Sequence, residues 1–204
     1  LFVIILLGRA FVTEGIAIYL INSAMGVLAI VLWDKLKPYQ QKRLTTFLNP
    51  EIDPAAAGYQ AIQSRVAVGS GGWFGHGLTQ GPQKRLAFLP EQGTDFVFSI
   101  VGEELGFVGV LLALALFFFL LVCLIRIARR ATEPFTSMVV FGIMALLLSH
   151  IFENVGMTVS LTPITGIPLP FFSYGGSFLL ALSVAIGLSL RAAWDARLAG
   201  YADM

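Results

Sequence analysis

The 204 residues are 57% hydrophobic and 12% charged with a net charge of +1, and their mean hydropathy is +0.83, which is too apolar for a water-soluble domain. The lack of a basic excess sets aside a nucleic-acid partner. A lone cysteine, Cys123 within the apolar run Leu121 to Ile125, rules out a disulfide framework and reads as a small packing residue.

In chain order, the opening apolar run Leu1 to Leu7 is far shorter than the ~20 residues a spanning helix requires. It has no basic region before it and no small-residue cleavage site after it, so it reads as the cut end of a membrane helix rather than a signal peptide. The expectation is that an N-terminal part precedes it. Four stretches then approach spanning length: Gly15 to Trp33, Phe98 to Ile125, Phe135 to Phe152 and Phe178 to Trp194. Lipid cannot satisfy an open backbone, so all four are expected as helices. The fold class is therefore all-α, a polytopic transmembrane bundle divided into residues 1–33, a large extracytoplasmic loop over 34–97, and three spans over 98–204 with a broken segment at 162–177.

Orientation follows from the short connections. Arg126, Arg129 and Arg130 after the second span, and Arg191 and Arg197 in the tail, place those ends in the cytoplasm and the 34–97 segment outside. Lys35, Lys37, Lys42, Arg43, Arg65, Lys84 and Arg85 in that segment point the other way, but long loops translocate largely regardless of charge. Apolar and aromatic residues such as Val66, Trp73, Phe74, Leu86 and Phe88, and a helix over Ala55 to Val68 opened by Asp53-Pro54, make this loop a folded cap on the membrane. Three prolines and a glycine between Thr162 and Pro170 forbid a continuous helix there.

Several residues carry chemistry. Asp95 stands where loop passes into the Phe98 span; position alone suggests a helix cap or first-turn acid. Ser99, Gly102, Gly106 and Gly109 follow it at helical spacing, so Asp95 heads a face of small residues that turns toward protein or a cavity. Glu103 and Glu104 lie about two turns deeper, where carboxylates are expensive and default to paired or functional roles, here the support of a polar cavity. His150 and Glu153 share a face, but one other histidine, His76, is too little for a dedicated metal site, and a polar pairing with Asn154 is expected instead. The run Gly69 to Gly77 lacks the Gly-Lys-Ser/Thr ending of a P-loop and fails G-x-G-x-x-G, which leaves tight turns or close approach to a phosphate or sugar.

Taken together, Asp53-Pro54, Gly58-Tyr-Gln60, Gln63-Ser64, Gly69 to Gly72, Leu89-Pro-Glu91, Thr94-Asp-Phe96, Gly102 to Gly106, Asn154 to Met157, Pro168-Leu-Pro170 and Ser173 to Ser177 resemble, in order and spacing, the SEDS family of RodA, FtsW and their sporulation relatives. Leu78 to Gln83 followed by Leu86 to Pro90 looks more like the RodA branch. The resemblance implies a peptidoglycan glycosyltransferase that polymerises lipid II during cell elongation and cell-shape maintenance. It implies an active site on the outer face of the bacterial cytoplasmic (inner) membrane, a class B penicillin-binding protein as partner, and Asp95 as the catalytic carboxylate. The chemistry agrees: a sugar hydroxyl attacking the anomeric carbon of a lipid-linked sugar diphosphate needs one general base if the reaction inverts. The departing diphosphate needs charge stabilisation, from Arg or Lys or from a divalent cation such as Mg or Mn. Arg65 matches a basic position of the family pattern, with Lys42 and Arg43 next; Lys84 and Arg85 fit electrostatically. Glu103, Glu104, Ser173 and Tyr174 complete the substrate-binding set. The alternative readings are a flippase or transporter of lipid-linked precursors, which a broken segment also permits, and a scaffold that only positions the partner. About ten spans are expected for the family, against four and a fragment here, so residues outside the chain are expected to complete the site.

Overall fold

The computed structural model describes residues 37–49, 57–81 and 94–202, together with Leu20, Ser23, Ala24, Val27 and Lys35. Apart from Leu20, Ser23, Ala24 and Val27, the span expected at Gly15 to Trp33 lies outside the described residues, as do the cations Lys84 and Arg85. Among the described residues the regular elements are all helical: α1 (Pro38–Leu48), α2 (Ala57–Ser70), α3 (Val97–Arg130), α4 (Pro134–Thr158) and α5 (Gly176–Ala202). Three of them, α3, α4 and the Gly176–Leu198 part of α5, are long and apolar enough to cross a membrane, and the chain is a multi-pass membrane protein.

The chain divides into two compact units, one of Tyr39–Phe119 with Ser149–Leu180, the other of Leu1–Pro38, Leu120–Leu148 and Ala181–Met204. The helix α1 begins on Pro38, whose missing N–H costs nothing at a helix start, and within the first unit Thr45 returns its hydroxyl to the carbonyls of Gln41 and Lys42, both at 3.0 Å. The buried face of α2 is Ala61, Ser64 and Ala67, side chains small enough for close helix approach. A side chain at Gly102 of α3 would meet Val68 at 3.2–3.4 Å. Ser64 donates to the Thr158 carbonyl at 2.8 Å. A hydroxyl has one proton, so in its 2.6 Å contact with Ser99 the donor is Ser99.

The glycine face expected along α3 is interrupted: Gly106 adopts φ 66°, ψ −164° inside the helix. In an unbroken helix the N–H groups of Phe107 and Val108 would bond the carbonyls of Glu103 and Glu104. Here those N–H groups donate to Gly72 and Trp73 at 2.9 and 3.1 Å, while the freed carbonyls accept from His76 and Gly77, both at 3.0 Å. The glycine-rich loop after α2 is thus spliced into two rungs of the α3 ladder, and it satisfies the two N–H groups and two carbonyls those rungs would otherwise leave open. That settles the loop as a structural joint. Gly75, at φ 74°, sits so close that a side chain there would collide with the Glu104 carbonyl.

The second unit is packed more simply. Leu124 and Ala128 of α3, Val140, Met144 and Leu147 of α4, and Leu182 and Ala192 of α5 are buried, and Ser137 closes the α3–α4 turn by donating to the Ala128 carbonyl at 2.8 Å.

Candidate active site

Asp95 belongs to the first unit. The N–H groups of Ser99 and Ile100 both turn back to the Phe96 carbonyl, so Phe96 occupies the capping position and Asp95 stands one residue outside the helix. Its neighbours Phe96 and Phe98 are 1% and 2% exposed. They anchor the chain while Asp95 itself stays half-buried.

The segment after α4 is irregular from residue 159 to 175, as its prolines require, and it is fastened to the backbone of Thr94 and Asp95 by two side chains. The amide of Asn154, fully buried, donates to the Asp95 carbonyl at 2.9 Å and to the Ile167 carbonyl at 2.8 Å. Ser173 donates to the Thr94 carbonyl at 2.5 Å and accepts from the Leu169 N–H at 2.7 Å. Residues 94–95 and 167–169 are therefore clamped together at two points. Between them Gly166 turns at φ 73°, and a Cβ on it would lie 3.1 Å from the Asp95 carboxylate; glycine is needed both for the turn and to leave the carboxylate its space.

The polar stripe of α4 takes up the remaining groups. His150 bonds the Pro168 carbonyl through Nδ1 at 3.2 Å and stacks on Phe178 with ring centroids 5.0 Å apart. A carbonyl only accepts, so Nδ1 carries the proton. Glu153 takes the hydroxyl of Thr165 on its carboxylate at 3.4 Å and that of Thr162 on its carbonyl at 3.2 Å. The pairing expected among His150, Glu153 and Asn154 is replaced by separate bonds to the broken segment. The reason is that the irregular backbone has more unsatisfied groups than the stripe itself. Among the described residues no cluster of His, Cys, Asp and Glu is suited to a metal ion.

A cavity of about 130 Å³ opens beside the same segment. Its polar wall is Arg43 and Thr46 of α1, Gln60 of α2, and Ser160 and Thr162; Phe47, Met157 and Ile164 supply apolar surface. Among the described residues the buried hydroxyl oxygens of Thr46 and Ser160 have no hydrogen-bond partner. Unsatisfied hydroxyls in a buried wall cost about 1–3 kcal/mol each until something bonds them. Ile164 lines this cavity two residues before Gly166, a separation of at most ~7 Å along the chain.

The other residues singled out from the sequence are distributed as follows. Lys42, Arg43 and Arg65 are all exposed, and of the three Arg43 also lines the cavity. Glu103 and Glu104 are buried; Glu104 accepts from the Thr79 N–H at 3.0 Å and Glu103 packs against Gly81, so both support the spliced loop. Tyr174 is 86% exposed. Thr46, Ser160 and Gly166 carry no motif visible in the sequence; only the local proline density around Gly166 signals an irregular backbone.

The family model described as cell cycle protein, covering FtsW, RodA and SpoVE, matches residues 1–198. The chain belongs to this family. It is 42% identical over 188 residues to the peptidoglycan glycosyltransferase MrdB of Escherichia coli (strain K12), covering 92% of this chain and 50% of that protein. Over 176 residues it is 44% identical to the peptidoglycan glycosyltransferase RodA of Treponema pallidum (strain Nichols), covering 83% and 41%. Over 154 residues it is 49% identical to the stage V sporulation protein E of Bacillus subtilis (strain 168), covering 76% and 42%. The chain thus spans about half the length of these relatives. A solved structure, described as the structural coordination of polymerization and crosslinking by a peptidoglycan synthase complex, matches with a TM-score of 0.73 at 30% identity, covering 96% of this chain and 53% of that one.

Proposed function

We propose that the chain forms the catalytic portion of a peptidoglycan glycosyltransferase that polymerises lipid II during cell elongation, with Asp95 as general base. The observation that carries this reading is the clamp. Asn154 and Ser173 hold the backbone at Asp95 against the broken segment, and Gly166 keeps the carboxylate clear.

In the reaction, the hydroxyl of one sugar gives its proton to the Asp95 carboxylate as its oxygen attacks the anomeric carbon of the other. The bond from that carbon to the diphosphate breaks with inversion, and the lipid diphosphate departs with both electrons. It leaves without an acid but with charge that must be met. Arg43, with the unsatisfied hydroxyls of Thr46 and Ser160 beside it, supplies a cation and two donors for phosphate oxygens. A divalent cation such as Mg or Mn would be carried on the phosphates, since such ions are commonly held by substrate oxygens plus one or two protein ligands. The chain works in the bacterial cytoplasmic membrane with its site on the outer face, and a class B penicillin-binding protein is its crosslinking partner. The resemblance to a synthase complex supports that pairing.

The test is polymerisation of purified lipid II by the full-length protein with its partner, read as glycan chain length on a gel. Asp95→Asn is expected to lower the rate by about 10²–10⁴ while lipid II binding persists. Polymerisation by Asp95→Asn at the wild-type rate would falsify the assignment. If neither protein makes chains and both carry labelled lipid across vesicles, the chain is a flippase.

A further inference from the structure

The second unit contains a cavity of about 360 Å³ that the proposed chemistry does not use. It is lined by Arg126, Ile127 and Arg130 of α3 and by Ala193, Ala196 and Arg197 of α5. Three arginines, each permanently charged, line one space, and among the described residues its lining includes no carboxylate. Asp195, the acid nearest in sequence, is engaged elsewhere: Arg191 holds it in a two-pronged pair, Nη2 to Oδ1 at 2.9 Å and Nε to Oδ2 at 3.0 Å.

Arginine at the end of a helix has an ordinary explanation, because positive charge offsets the carbonyl end of the macrodipole. That accounts for Arg129 and Arg130 in the last turn of α3. It does not account for Arg197 arriving at the same cavity from a different helix, nor for Arg126 and Arg130 at i and i+4, where like charges destabilise a helix. An anion in the cavity relieves both repulsions, and the planar fork of arginine fits phosphate oxygens in particular.

The surroundings identify the carrier of that phosphate. Leu190, Trp194 and Leu198 on α5 are 61%, 58% and 52% exposed. At four-residue spacing they form one apolar stripe alongside the cavity, and a tryptophan at the end of a span is the residue that settles at the headgroup level of a bilayer. We infer that this cavity is a binding site for the phosphate headgroup of an anionic phospholipid, at the membrane surface on the arginine-rich side, with acyl chains lying on the α5 stripe. Basic pockets between spans on the cytoplasmic side bind such headgroups on general electrostatic grounds.

The experiment uses the purified full-length protein in mild detergent, titrated with phosphatidylglycerol and separately with phosphatidylcholine, with retained lipid counted by native mass spectrometry. Phosphatidylglycerol is expected to bind in preference. Arg197→Gln is expected to weaken it about fivefold, and Arg126→Gln, Arg130→Gln and Arg197→Gln together on the order of a hundredfold. Arg191→Gln, whose side chain is paired outside the cavity, should match wild type. The thermal midpoint without lipid reports folding, and should the triple variant not fold, Arg197→Gln alone decides. Equal retention of both lipids, or wild-type phosphatidylglycerol binding by Arg197→Gln, overturns the proposal. So does displacement of the lipid by millimolar inorganic phosphate, which would assign the cavity to a soluble anion.

Discussion

The unit of Tyr39–Phe119 and Ser149–Leu180 and the unit containing Leu120–Leu148 and Ala181–Met204 share the same three long helices, yet they are held together differently. Buried Thr46, Ser64, Ser99, Glu103, Glu104, Asn154 and Thr158 all lie in the first, while the second buries Ser189 among apolar side chains. Every described residue with positive φ, from Gly72 to Phe171, is also in the first. Unusual backbone in a membrane protein is tolerated only where protein or a water-lined cavity satisfies it, and such backbone collects where function needs it. The lesson is that the first unit spends its side chains on broken helices around Asp95 and a polar cavity, whereas the second buries an almost wholly apolar set of side chains between unbroken helix segments.

This contrast can be broken at several points. Gly75→Ala should have the largest effect, about 4 kcal/mol: it adds strain at φ 74° to a collision with the Glu104 carbonyl. The check is thermal unfolding of the full-length protein in detergent, and a midpoint within a degree of wild type would mean that the splice does not organise the first unit. Asn154→Ala comes next, at about 3 kcal/mol, because it strands the carbonyls of Asp95 and Ile167. Its signature is a lower kcat at unchanged KM for lipid II. Ser173→Thr, which keeps the hydroxyl of the second clamp, should retain more activity than Ser173→Ala, and an unchanged kcat in both Asn154→Ala and Ser173→Ala would remove the clamp from the mechanism.

In the second unit, Leu147→Ala should cost on the order of 2 kcal/mol by leaving a cavity at a fully buried position. The rate per folded molecule should stay unchanged, which polymerisation normalised to folded protein would verify. Smallest of all, Arg191→Ala removes an exposed i,i+4 pair and should shift stability by less than about 0.5 kcal/mol. A larger shift on a salt titration would mean that this surface is more electrostatically organised than its exposure suggests.

Much of this was legible in the residues. Apolar length marked where α3, α4 and α5 begin but stopped short of their ends, at Ile125, Phe152 and Trp194 against Arg130, Thr158 and Leu198; the prolines at 163, 168 and 170 marked the break after α4, and the ordered motifs from Gly58 to Ser177 pointed to the family that residues 1–198 match. The register of the glycines misled, because Gly102, Gly106 and Gly109 have helical spacing and nothing local distinguishes a packing glycine from one that breaks the ladder. Gly106 breaks only because a distant loop, Gly72 to Gly77, supplies the missing hydrogen bonds.

The sequence by itself determined the all-helical membrane class, the interruption at 162–170 and the identity of Asp95 as the residue to test. These depend on composition, local steric limits and motif order. Only the tertiary structure decided that Arg43 rather than Arg65 lines the cavity, that Glu103 and Glu104 brace a loop, and that Asn154 and Ser173 clamp Asp95. Each of those turns on which distant segments the fold brings together. That depends on segments far apart in the chain coming together, such as Ser173 with Thr94 and Arg43 with Ser160 and Ile164, so no local pattern can encode it.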